Sequence, residues 1–351
     1  MKKLFFAVLI LTFALASNVL ADEEPARKII IDTDTGADDA SALIIAANSP
    51  EIEIMGITVL AGNVDLEQGT KNALAALELA DCDAPVYRGS EIRYDGSPIL
   101  PHSVFGTDGM GDMNLIHPKR AAEEEDAIDF ILDTVRSAPG EIEIVMLGPA
   151  TNIARAIDED PETMKQVKRI WSMGTPGIYG PGNASPVAEF NVYLDAPAYS
   201  RLLDSGVPVT IIGLDVCDGE SKWTVDYFDK LASYGRIGRF MTDSFSKIRE
   251  FYAKNGSPDS VMNCDGTAMI CAVCPELIED SRLCHGSCVT APGETCGQVI
   301  FYPFATSGMS GIGESGKNMQ DLAEGAKVLP GKRFKNSVST GELKSWSEEW
   351  L

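Results

Sequence analysis

Ile29-Ile-Ile-Asp-Thr-Asp-Thr-Gly-Ala-Asp-Asp-Ala40 is the stretch that most constrains what this chain can become. Three consecutive β-branched isoleucines predict a buried strand. Four carboxylates follow within eight residues, Asp32, Asp34, Asp38 and Asp39. Gly36 lies between the two pairs, where a tight turn from strand to helix needs its conformational freedom. Ala40, Leu43, Ile44 and Ala47 then recur at helix spacing. Four acids at one strand end repel each other unless a cation sits among them, and hard cations such as Ca²⁺ choose carboxylate oxygens. Helix capping accounts for Asp38 or Asp39, since aspartate favours the cap and first turn. It does not account for the Asp32 and Asp34 pair.

The rest of the chain repeats the strand-then-helix rhythm. Glu51 to Ala61 reads as a second strand, ending in Gly62-Asn63, and a helix follows from about Asp65 to Ala80. Residues 84 to 120 are rich in Gly, Pro and Asp and read as one long loop. A helix over Glu123 to Arg136 leads to a strand over Glu141 to Leu147, and Gly148 to Asn152 turns the chain into another helix. Val167 to Met173 and Val207 to Leu214 are further strands, separated by a second long loop, Gly174 to Pro186. Helices are expected over residues 225 to 254 and Asp265 to Cys274, then short strands including Gln298 to Phe301, and a C-terminal helix. This pattern predicts an α/β chain in a single domain: an open, mostly parallel sheet with a Rossmann-like core, flanked by helices, with extra short strands and helices near the C-terminus. Asp34, Asn63 and Asn191 fall at or just beyond the C-terminal ends of apparent strands, the edge where open α/β sheets bind ligands.

Lys2 and Lys3 precede an apolar run from Leu4 to about Ala16, and Val19-Leu20-Ala21 suits a cleavage site. Residues 1–21 therefore read as a secretory signal peptide and 22–351 as the mature domain, secreted, and periplasmic if the source is bacterial. The net charge is −23 and becomes more negative when Lys2 and Lys3 are lost. That balance argues against nucleic-acid polymers and anionic lipid as partners, and for a small neutral substrate. Export permits disulfides. Six of the eight cysteines lie between 264 and 296, and one or two structural disulfides are expected around Cys284, Cys288 and Cys296. Cys271-Ala-Val-Cys274 lies inside an apolar helical stretch, which argues against a redox motif there.

Asp-Thr-Asp-Thr-Gly-Ala-Asp-Asp-Ala resembles the Asp-x-Asp-Pro-Gly-x-Asp-Asp-Ala motif of the inosine-uridine-preferring nucleoside hydrolases. Further segments match in order: Gly62-Asn63, Leu147-Gly-Pro-Ala-Thr-Asn-Ile-Ala154, Asn183 with Val187-Ala-Glu-Phe-Asn191, and Asp265. The resemblance implies Ca²⁺ bound by Asp34, Asp39, Asp265 and the backbone carbonyl of Leu147, with Asp34 also the general base. It further implies ribose contacts from Asp38 and Asn63, contacts to the 5′ side from Asn183, Glu189 and Asn191, and a base contact from Tyr252. The implied activity is hydrolysis of the N-glycosidic bond of ribonucleosides to ribose and free base, by an enzyme that is often a homodimer or homotetramer. Three departures stand out: Thr35 replaces the turn proline, Phe105 stands where several relatives carry a loop histidine, and Cys264 replaces the histidine that protonates the leaving base. Cys264 is the proton donor by position only. This departure sustains an alternative, a nucleoside- or ribose-binding protein of the same fold with little or no turnover.

Overall fold

The computed structural model describes residues 25–178, 180–278 and 281–303. The expected signal peptide over 1–21 and the expected C-terminal helix lie outside the described residues. In chain order the elements are β1 (Arg27–Thr33), α1 (Ala37–Ala47), β2 (Ile52–Val59), α2 (Leu66–Leu79), β3 (Val86–Arg88), α3 (Ala127–Ser137), β4 (Glu143–Met146), α4 (Thr151–Glu159), α5 (Pro161–Met164) and β5 (Arg169–Met173). They continue with α6 (Phe190–Leu194), α7 (Ala196–Leu203), β6 (Val209–Ile212), α8 (Leu214–Cys217), β7 (Trp223–Thr224), α9 (Val225–Leu231), α10 (Gly235–Ser244) and α11 (Ser246–Lys254). β8 (Ser260–Val261), α12 (Cys264–Val273), β9 (Cys284–Cys288) and β10 (Val299–Pro303) complete them.

Six parallel strands form one sheet in the order β3-β2-β1-β4-β5-β6. β1 shows why it occupies the middle. Ile29, Ile30 and Ile31 are completely buried, each contributing roughly 1.5–3 kcal/mol of apolar burial. The pleat sends Ile29 and Ile31 into one core with α1 and α2, and Ile30 into the other with α3, α4 and α7. A strand covered on both faces reads as a continuous apolar run, as this one does. The strand order reverses between β1 and β4, so their C-terminal ends open a crevice where the chains leading to α1 and α4 diverge.

β3 was hidden in the glycine- and proline-rich segment read above as loop. Three residues are too short for a period to show, and β3 is fixed by pairing with β2, Ile57 opposite Val86. α12 is held at both ends. Arg27 donates to the carbonyls of Ala272 (2.5 Å) and Val273 (2.8 Å) at its C-terminus, where a cation is favoured. At the N-terminus Asn263 Oδ1 accepts from Gly266 N–H and from Ser41 Oγ–H of α1. The first turn of α12, carrying Asp265, is thereby set against the first turn of α1.

The disulfide expectation is corrected. All eight cysteines are free thiols. Cys284 and Cys288 are the two ends of the extended strand β9, about 13 Å apart, well beyond the Cα separation a disulfide spans. Cys288 lies near Cys296, and burial pushes its thiol up to about 12.

Candidate active site

The crevice between β1 and β4 is lined by carboxylates. Asp34 and Asp39 are fully buried, and Asp265 and Asp38 nearly so. Oxygen atoms of Asp38, Asp39 and Asp265 lie within 4.8 Å of one another. Burial, and then the neighbouring carboxylates, push Asp34, Asp38 and Asp265 far above the usual range; burial also raises Asp39. Among the described residues no cationic side chain is a main influence on any of the four.

Capping accounts for Asp39 only. Its Oδ2 accepts from the Gly36 N–H (2.7 Å) and the Asn63 Nδ2 amide (3.0 Å), and its Oδ1 from the Thr33 hydroxyl (2.6 Å). Asp34 Oδ2 accepts from the Asn63 N–H (2.6 Å), whereas Asp34 Oδ1 and Asp38 Oδ1 are buried with no partner. A buried carboxylate oxygen without a donor costs a few kcal/mol, which an oxygen-seeking cation relieves. The donor set therefore fits a metal ion. Two glycines make the room: a Cβ on Gly62 would fall 2.0 Å from Asp34 Oδ2, and one on Gly148 3.0 Å from Asp34 Oδ1.

Asp32 does not join the cluster. Its Oδ1 accepts from Thr58 Oγ1–H (2.7 Å) and Asn152 Nδ2–H (2.8 Å), and burial raises its carboxyl to about 7. The Leu147 carbonyl stands at the β4 end and accepts from Asn191 Nδ2 at 2.5 Å, leaving its second lone pair unassigned. Asn191 is thus brought to the crevice. Glu189 caps α6 through Asn191 N–H and Val192 N–H, and burial lifts its carboxyl to about 7. Asn183 is exposed, and its Oδ1 accepts from Phe190 N–H, which shapes the loop. Tyr252 is partly buried, and Cys264 and Asp38 are among the titratable groups that act on its hydroxyl. Cys217 Sγ–H donates to the Cys264 carbonyl (3.8 Å), and the neighbouring Cys217 together with burial holds the Cys264 thiol well above the usual range.

Several supports were not legible in the sequence. Thr33, Thr58 and Asn152 orient Asp39 and Asp32, and Asn72 Nδ2 ties the Thr35 carbonyl to that of Asp108. Only Thr33, a polar residue inside the first acid run, offered a local hint. Thr175 is the least expected. It is buried with φ at 73°, a conformation costly for a β-branched residue. It is kept there by its N–H to Glu189, by Leu214 N–H on its carbonyl (3.0 Å) and by Gly177 N–H on its hydroxyl (3.1 Å).

Comparison with known proteins gives the same family from two directions. The sequence profile described as inosine-uridine preferring nucleoside hydrolase matches residues 29–328. An uncharacterised protein of Schizosaccharomyces pombe is 44% identical over 192 residues, a match spanning 54% of this chain and 61% of that one. Uridine nucleosidase 1 of Arabidopsis thaliana is 34% identical over 253 residues, 72% of this chain and 75% of that protein. Among solved structures, the plant nucleoside hydrolase PpNRh1 superposes with a TM-score of 0.80 at 27% identity, covering 93% of this chain and 98% of its own. With the acid motif, the sheet order and these matches in agreement, the chain belongs to the inosine-uridine preferring nucleoside hydrolase family.

Proposed function

We propose that the protein hydrolyses the N-glycosidic bond of ribonucleosides in a calcium-dependent reaction, giving ribose and free nucleobase. The observation that carries this reading is the pair of partnerless buried oxygens, Asp34 Oδ1 and Asp38 Oδ1, in the β1/β4 crevice of a chain of this family. Asp34, Asp39, Asp265 and the Leu147 carbonyl would hold the ion, all hard oxygen donors, and Asp38, whose carboxylate lies within 4.8 Å of those of Asp39 and Asp265, would lie at its edge. When bound, calcium supplies a positive field that acidifies the attacking water and fixes the ribose hydroxyls.

Asp34 takes the proton released by that water, its carboxylate held in place by Asn63 N–H on Oδ2. Asp38 and Asn63 contact ribose hydroxyls. Glu189 and Asn191 face the 5′ side, and Asn183 acts there through the loop it closes on Phe190. Breaking the C–N bond builds positive charge on the sugar, which the carboxylates stabilise. Residues 1–21 would export the chain, so that it meets nucleosides outside the cytoplasm.

Uridine and inosine are expected to yield reducing sugar and free base in the presence of calcium, and to yield neither after chelation. Nucleoside binding without release of sugar would favour the binding-protein reading over hydrolysis.

A further inference from the structure

We propose that His102 is the hydrogen-bond donor to the departing nucleobase, an assignment that rests on the hydrolase reading above. His102 belongs to the long segment between β3 and α3. Further along that segment Phe105 and Met110 are buried, Gly111 N–H bonds to the Phe105 carbonyl (2.7 Å), and Asp108 is tied to Thr35 through Asn72. Phe105 packs on the turn after β1, where a Cβ on Gly36 would lie 3.3 Å from its ring and 3.1 Å from Asn63 Nδ2. The His102 ring is 6.0 Å from Phe105 and 4.4 Å, edge-on, from Phe190. Phe190 stands between Glu189 and Asn191, after β5. One side of this aromatic bridge therefore rests beyond β1 and β2, and the other beyond β5. The ends of β1 and β4, with Asp34 and Leu147, lie between them.

A nucleoside can enter this crevice in one sense. The groups suited to ribose hydroxyls and to a cation are at its floor, nearly or fully buried. The nucleobase then points to the mouth, towards the segment that carries His102.

The ring is prepared to donate. Val104 N–H bonds to Nδ1 at 3.0 Å, which makes Nδ1 the acceptor and assigns the proton to Nε2. Nε2 has no partner among the described residues and is not sealed from solvent, so its N–H is available to a ligand. Burial lowers the ring to about 4, so it stays neutral with this single donor at ordinary pH. The other candidate, Cys264, lies against Cys217, whose thiol donates to the Cys264 carbonyl (3.8 Å). His117 Nε2 is bonded to the Asn114 carbonyl, and His285 lies in β9.

In the reaction the C1′–N bond breaks and its electron pair leaves with the base. Nε2–H stabilises the growing charge on a base nitrogen or oxygen, without transferring its proton. The base is finally protonated by water, and the proton that Asp34 took returns to solvent, so nucleoside and water balance ribose and base.

The test compares wild type with His102→Phe, which keeps the packing on Phe105 and Phe190, and with His102→Gln, which restores an N–H donor. Substrates are uridine, inosine and 4-nitrophenyl β-D-riboside, whose leaving group needs no donor. His102→Phe is expected to lose about 10²-fold in kcat on both nucleosides and under about threefold on the nitrophenyl riboside, with His102→Gln between. Equal losses on all three substrates, or no loss on nucleosides, would overturn the assignment. Wild type that cleaves the nitrophenyl riboside but no nucleoside would overturn it as well. Cleavage of none of the three by wild type would instead remove the hydrolase reading, and this assignment with it.

Discussion

Asp34→Asn is expected to fold normally and to lose about 10³-fold or more in kcat on ribonucleosides. The amide keeps the shape that Gly62 and Gly148 leave for the carboxylate, so packing is little disturbed. It removes both the negative charge and the lone pair that receives a proton from water. Asp34 Oδ1 is the atom at stake, because Oδ2 is already committed to the Asn63 N–H. Asp32→Asn is the comparison. Asp32 already accepts from Thr58 and Asn152, and with its carboxyl raised to about 7 it is substantially protonated at neutral pH, so an amide resembles it. Its loss should stay within about tenfold. Steady-state kinetics of both variants at saturating calcium separates them. Similar losses in the two would mean that the acid run acts as one structural unit and that Asp34 has no special place in it.

The second large effect is on stability. Metal-free protein is expected to melt on the order of 10 °C lower at pH 8 than at pH 5, and calcium should close most of that gap. The sign follows from the buried acids. Asp32 and Glu189 are raised to about 7, and Asp34, Asp38, Asp39 and Asp265 are raised as well. In the unfolded chain these groups release protons near pH 4. Between about pH 4 and 7 the folded form therefore holds protons the unfolded form has given up, and stability falls as pH rises through that window. An ion among the carboxylates makes their ionised form the favoured one and reverses the trend. Scanning calorimetry at the two pH values, with chelator or with calcium, reads this directly. Metal-free protein that is as stable at pH 8 as at pH 5 would show that the cluster is not a strained anionic site.

How much of this was legible depended on whether the signal was local. Ile29 to Ile31 and the four acids after them are one short run, so strand, turn, helix and cation preference could be read together. The alternation of strands and helices likewise predicted the parallel sheet. Asp265 lies more than two hundred residues from Asp34, and only the family resemblance linked them; in the fold Arg27, Asn263 and Ser41 dock α12 against α1 and bring them together. β3 escaped notice because three residues carry no period. Thr58 and Asn152 escaped because a residue that supports an acid from another strand leaves no local trace. Asn183 matched the family pattern, yet its side chain closes a loop at the surface. Of the pairings expected around Cys284, Cys288 and Cys296, Cys284 with Cys288 fails on geometry, since closeness in sequence along an extended strand is distance in space.

A crystal structure grown with calcium, with data collected at a wavelength where calcium scatters anomalously, would show whether the carboxylate crevice holds the ion. One strong anomalous peak is expected in the β1/β4 crevice, about 2.3–2.6 Å from carboxylate oxygens of Asp34, Asp39 and Asp265 and from the Leu147 carbonyl. An empty crevice at saturating calcium, or a peak bound elsewhere on the surface, would contradict it.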